Sequence, residues 1–290
     1  MAAWSGTLLA RGVCDGALLT ALLTIFGTSF FWLAFAPLEA METQRLAIGQ
    51  RLLGTIQLAL WPLKLLLVVS TMAGTSVIGA IPFAAEVLRD THFGHDFLAS
   101  APLAVFLAAA IWIRVASARR WSAFVLSGTL LLIWACSSHA IDLGMVPVLV
   151  YAIHELAAGL WVGSLVSLWA ISPRHPAQSG TEAKIPRQVS AVSGWCVAAL
   201  VVTGLYTAGR IASGHFAALF ASSYGRILLL KVTLFAVIVA MGAYNRFRIL
   251  PAMATAARSR SLLRNVALEI VLIVSVFAIA GLLANSSPPP

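Results

Sequence analysis

Residues Tyr151–Trp169 read YAIHELAAGLWVGSLVSLW. The run is apolar enough to cross a membrane, yet it carries His154 and Glu155 side by side. Ionisable groups at such depth are costly, and where they occur they mark functional sites by default. Gly159 and Gly163 follow as a GxxxG step, which lets another helix pack closely. Trp161 comes seven residues after His154, so the two share one helix face. Upstream, the preceding apolar segment ends in Cys136-Ser-Ser-His139, and a turn over Ala140–Met145 joins the two. The pair reads as a tight helical hairpin that brings two histidines near one membrane face.

Composition agrees with a membrane setting. The 290 residues are 60% hydrophobic and 10% charged, with mean hydropathy +0.94. A soluble domain could not hide so much apolar surface, so the chain reads as an all-α polytopic membrane protein. The net charge of +9 does not point to nucleic acid, because the arginines cluster in short loops between apolar segments. Cys14, Cys136 and Cys196 are widely spaced, without a CxxC, and do not form a disulfide framework. Ala34-Phe-Ala36 resembles a signal cleavage site, but the apolar run before it is too long and Pro37 follows, so the run is read as a retained first helix.

Eight spans are expected, at about 17–36, 52–73, 98–116, 121–139, 146–170, 189–210, 226–246 and 265–284, each near the ~20 residues that cross a bilayer. Residues 75–88 are apolar but short and broken by Pro82, and are read as re-entrant or interfacial. Residues 1–290 form a single integral membrane domain with no soluble insert. Of the 19 Lys and Arg, counting those at a span's end with the adjoining loop, 13 belong to the loops after spans 1, 3, 5 and 7, four lie elsewhere, and Lys64 and Lys231 lie inside spans. The bias places those loops in the cytoplasm and both termini outside.

In this orientation His92, His95, His139 and His215 face outward, and His154 lies roughly 12 Å inside span 5 at 1.5 Å per residue. With Cys136, Met72 and Met145 nearby, that surface suits the entry of a soft or borderline metal such as copper. Candidate metal ligands are therefore His154, His139, Cys136, Met145, His92 and His95. Each has an ordinary alternative: a packed histidine bonded to a carbonyl, an interfacial helix-end histidine, a small apolar cysteine, a polar loop. Lys231, five residues into its span, is expected to snorkel or to pair with a carboxylate. Lys64 lies near mid-span, with Glu155 a candidate partner. Arg246, Arg248, Arg258, Arg260 and Arg264 read as topology determinants against anionic lipid. No P-loop, Asp-Lys-Thr-Gly sequence, HExxH or Ser/His/Asp set is present, so neither a nucleotide-driven pump nor an enzyme is expected.

A resemblance adds to this reading. Thr203-Gly204-Leu205, Tyr224-Gly225-Arg226 with Leu228-Leu229-Leu230-Lys231, then Asn245-Arg246 and Pro251, resemble the copper resistance protein D (CopD) family. His154-x6-Trp161-x-Gly163 and Leu88-Arg-Asp-Thr91-His-Phe-Gly94 are similar to motifs of that family. Residues 189–255 carry the strongest likeness. The resemblance implies a multi-pass protein of the bacterial cytoplasmic (inner) membrane that moves copper, as Cu(I) or Cu(II), from periplasm to cytoplasm, with a periplasmic CopC-type carrier as partner. Where relatives have Gly-His-Ala, this chain has Ser138-His139-Ala140. Two other classes stay open: a b-type haem electron-transfer protein using His139 and His154, and a factor delivering copper to a membrane oxidase. The expected order is capture at His139, with Cys136 or Met145, then transfer to His154.

Overall fold

The computed structural model describes residues 6–35, 40–137, 144–171, 184–212, 216–252 and 256–286. They form α1 (Gly6–Ala34), α2 (Ala40–Ala73), α3 (Ala84–Asp90), α4 (His92–Ala110), α5 (Ala116–Cys136), α6 (Met145–Ile171), α7 (Lys184–Ala212), α8 (Phe216–Ala221), α9 (Ser223–Tyr244) and α10 (Ala256–Ala284). No strand occurs among the described residues. Among the described residues seven helical stretches are long and apolar enough to cross a membrane, in α1, α2, α4, α6, α7, α9 with its continuation to Ala252, and α10. The expected fourth span corresponds to α5, which has 21 residues, about 30 Å at 1.5 Å per residue. It carries Arg119-Arg120 near its start and is not among the seven.

The bundle is built around α1. That helix buries residues along its whole length and packs against α2, α5, α6 and α10. Small residues permit this. A Cβ on Gly27 would run into the Gly159 carbonyl, and one on Gly163 into the Gly27 backbone, so the GxxxG step of α6 meets α1. Without a hydrophobic drive between helices in lipid, such backbone proximity is a main source of association. Gly12 faces Gly281 and Leu282, while Gly16 faces Ala278. The α1–α10 seam is thus antiparallel, and the start of α1 and the end of α10 share one end of the bundle. Inter-helix hydrogen bonds add to the packing: Gln50 Nε2 donates to Thr28 Oγ1 and Ser29 Oγ, both at 2.9 Å, and Gln57 Nε2 to the Ala104 carbonyl at 2.9 Å.

Two local expectations change. The third span runs over His92–Ala110, six residues earlier than 98–116. Thr91 caps α4, its hydroxyl accepting from the Gly94 N–H at 3.0 Å, which satisfies a free donor of the first turn. Thr91-His-Phe-Gly-His-Asp is therefore the start of a helix and not a loop. Residues 75–88 form a turn, a 3-10 segment at Ile81–Phe83 and the start of α3. Ile78 and Ile81 there are exposed, while Ala80 between them is buried with Val69 and Val87.

Candidate functional site

His154 sits in the first half of α6, at the bundle end shared by the start of α1 and the end of α10. Its Nδ1 is 2.8 Å from Thr203 Oγ1 on α7. The Thr203 hydroxyl proton is already committed, donated to the Ala199 carbonyl at 2.6 Å. Thr203 can therefore only accept, so the imidazole carries its proton on Nδ1 and keeps the Nε2 lone pair free. This tautomer is assigned from the network. It is the arrangement in which a metal-ligating histidine is held by its surroundings. The ring packs against Gly204, where an added Cβ would come to 3.9 Å from His154 Cε1.

Glu155, the next residue, is 5% exposed. Its carboxylate pairs with the Tyr151 hydroxyl one turn earlier, and Trp134 of α5 donates to that hydroxyl. Glu155 Oε2 has no hydrogen-bond partner among the described residues. Lys231 of α9 exerts its charge on both His154 and Glu155. Among the described residues Lys231 makes no ion pair within 4 Å; its charge acts on Glu155 from farther away. Lys64 has a different partner from the one expected. Its Nζ lies 3.1 Å from Asp15 Oδ1 on α1 and 3.5 Å from the Trp134 ring centroid, so Asp15 and not Glu155 neutralises it. Asn285 Nδ2 donates to Asp15 Oδ2 at 2.8 Å.

The other expected ligands are not gathered here. Cys136 ends α5 as an exposed free thiol, and Met145 opens α6 at 71% exposure. His139, like His215, lies outside the described residues. His92 Nδ1 is 2.9 Å from Asp96 Oδ2, while His95 Nε2 lies 2.8 Å from the Arg89 carbonyl. These two rings brace the first turns of α4. Among the described residues no three His, Cys, Asp or Glu side chains group as a metal site. Sequence reasoning missed Asp15, because the first span was started at residue 17, and gave Thr203 no role beyond its place in a motif.

A second polar region lies at the other end of the same helices. Asn265 Nδ2 donates to Asn245 Oδ1 at 2.8 Å, and Asn245 Nδ2 donates to Glu269 Oε1 at 2.6 Å. Asn245 opens a π-helical turn, Asn245–Ile249. A cavity of about 190 Å³ adjoins it, walled by the second half of α6, the first half of α7, the end of α9 and the first half of α10.

Residues 183–283 match the family model for copper resistance protein D. The chain is 28% identical to the copper resistance protein D of Pseudomonas syringae pv. tomato over 299 aligned residues, covering 94% of each chain. No solved structure matches significantly. The family-model match and the full-length relative agree: the chain is similar to copper resistance protein D.

Proposed function

We propose that this protein carries copper across the bacterial cytoplasmic membrane, with His154 as the residue that receives the ion inside the bundle. The observation that carries this reading is the 2.8 Å contact between His154 Nδ1 and Thr203 Oγ1; with the proton assigned to Nδ1, it leaves Nε2 free among apolar helices. A buried carboxylate next to it, Glu155, supplies negative charge for an arriving cation, and Lys231 supplies a counter-charge to hold the pair when no ion is present. The full-length relative is a copper resistance protein. In this reading α5 crosses the membrane as an eighth span, both chain ends face the periplasm, and Cys136 and Met145 lie at the outer entrance with His139. A periplasmic carrier of the CopC type would deliver copper to that entrance, and anionic lipid would contact the basic loops opposite.

The test is copper uptake into proteoliposomes made with full-length protein. His154→Ala is expected to abolish accumulation while the protein remains in the membrane with an unchanged thermal unfolding midpoint. Uptake equal to wild type would refute the reading. An optical spectrum of the same preparation separates it from haem-based electron transfer, since a Soret band would favour the latter. A C-terminal periplasmic reporter enzyme is expected to be active; activity only of a cytoplasmic reporter would invert the orientation.

A further inference from the structure

His154 is not among the residues that line the cavity beside Glu269, and the chemistry of that cavity is different. Its wall is almost entirely apolar, with Trp161 and Leu165 from α6, Val189 from α7 and Ile238 from α9. The charged residues of the lining are Glu269 and Arg246, and the parts of α6 and α7 that face it contribute no titratable group. Glu269 is 2% exposed. The amide chain from Asn265 through Asn245 runs in one direction and ends by donating to Oε1. Arg246 does not close an ion pair with it: its Nη1 donates to the Ser190 carbonyl at 2.9 Å. Among the described residues no cation lies within 4 Å of Glu269. A buried carboxylate without a counter-ion is costly unless a cation or a proton joins it.

Two further observations point to exchange with something that enters. Ser193, in the same wall, has a buried hydroxyl with no hydrogen-bond partner among the described residues. The π turn that sets Asn245 against Glu269 is of the kind found at functional sites. The volume is room for several waters at ~30 Å³ each. Oxygen donors of this sort suit a proton or a hard cation rather than Cu(I). Between this cavity and His154 lie Trp161 and Phe235, their rings edge to face with centroids 5.8 Å apart.

We propose that Glu269 is an exchangeable proton site, reached through this cavity and separated from His154 by the Trp161–Phe235 layer, whose proton balances the movement of a cation through the bundle. The carboxylate takes a proton from cavity water to become a neutral carboxyl group, and returns it to that water when a cation passes. The coupling to copper rests on the transport reading above; the proton site itself does not.

The experiment is infrared difference spectroscopy of full-length protein in lipid nanodiscs, between acid and neutral pH and in H2O and D2O. Wild type and His154→Ala are both expected to show a protonated-carboxyl C=O band that shifts in D2O and is lost in Glu269→Gln. Gln keeps an acceptor for Asn245, so the fold is expected to survive, and Glu155→Gln controls for the other buried carboxylate. Spectra of Glu269→Gln identical to wild type would overturn the proposal. Access is read separately with Gly242→Cys, since a Cβ there would sit 3.8 Å from Glu269 Oε2. A membrane-impermeant thiol reagent is expected to label it above the background of the native cysteines and to alter the band, whereas no labelling from either side would overturn the access claim. In proteoliposomes with an internal pH dye, copper-driven proton movement is expected in wild type and lost in Glu269→Gln. If His154→Ala instead transports normally, the copper reading falls while the infrared result still decides the proton site.

Discussion

The two ends of α6 sit in opposite kinds of polar surroundings. Around Tyr151, His154 and Glu155 the neighbouring helices bring matched charge: Asp15 with Lys64 at 3.1 Å, and Lys231 acting on Glu155. Around Trp161 and Leu168 they bring an apolar cavity with one buried carboxylate held by amides. The first end is closed by contacts, and the second keeps open space beside its charge. In a medium that cannot solvate ions, the first arrangement holds a fixed geometry for a ligand, and the second leaves a group free to change partners.

Substitutions can break this contrast at several strengths. The largest effect is expected at the seam common to both ends. Gly163→Leu places a branched side chain where even a Cβ meets the Gly27 backbone, and the variant is expected to leave no folded protein in a detergent-extracted gel-filtration profile. Next is the closed end. Lys64→Met strands Asp15, which is 6% exposed, and should cost about 3–5 kcal/mol. The double variant Lys64→Met with Asp15→Asn should regain most of it in thermal unfolding, and no recovery would show that the ion pair is not what holds α1 to α2. Third is the tautomer. Thr203→Val removes the acceptor for His154 Nδ1–H and is expected to weaken copper binding by about tenfold, at the low end for lost ligand support, with little change in stability. The smallest effect is at the open end: Gly242→Ala puts a methyl in ordinary contact with Glu269 and is expected to shift stability by less than about 1 kcal/mol.

The sequence shows its spans plainly because runs of ~20 apolar residues have few other uses. It shows boundaries less well. His92, His95 and Asp96 look like loop residues, but Thr91 uses its hydroxyl to start a helix beneath them. The central position of α1 is not legible, because a helix in lipid is apolar on all sides and its pattern does not say which side meets protein. His154 and Glu155 are visible as oddities in Tyr151–Trp169, but their partners are not. Thr203 lies 49 residues from His154, and Asn285 lies 270 residues from Asp15. Lys64 is conspicuous and its partner is not, since Asp15 falls just before the expected first span and only packing brings α1 to α2.

The enclosure of α1 also sets a schedule for making the protein. Every helix that α1 packs against, α2, α5, α6 and α10, is made after it. Asp15 enters the bilayer before Lys64 exists to neutralise it, and Asn285 follows 270 residues later, some tens of seconds at about 5–20 residues per second. Until α6 and α10 arrive, the glycine faces at Gly12, Gly16 and Gly27 can be filled only by lipid or by the insertion machinery. The nascent chain therefore depends on a holding step early in translation, and slowing elongation between α2 and α10 should expose α1 to membrane proteases in proportion to the delay.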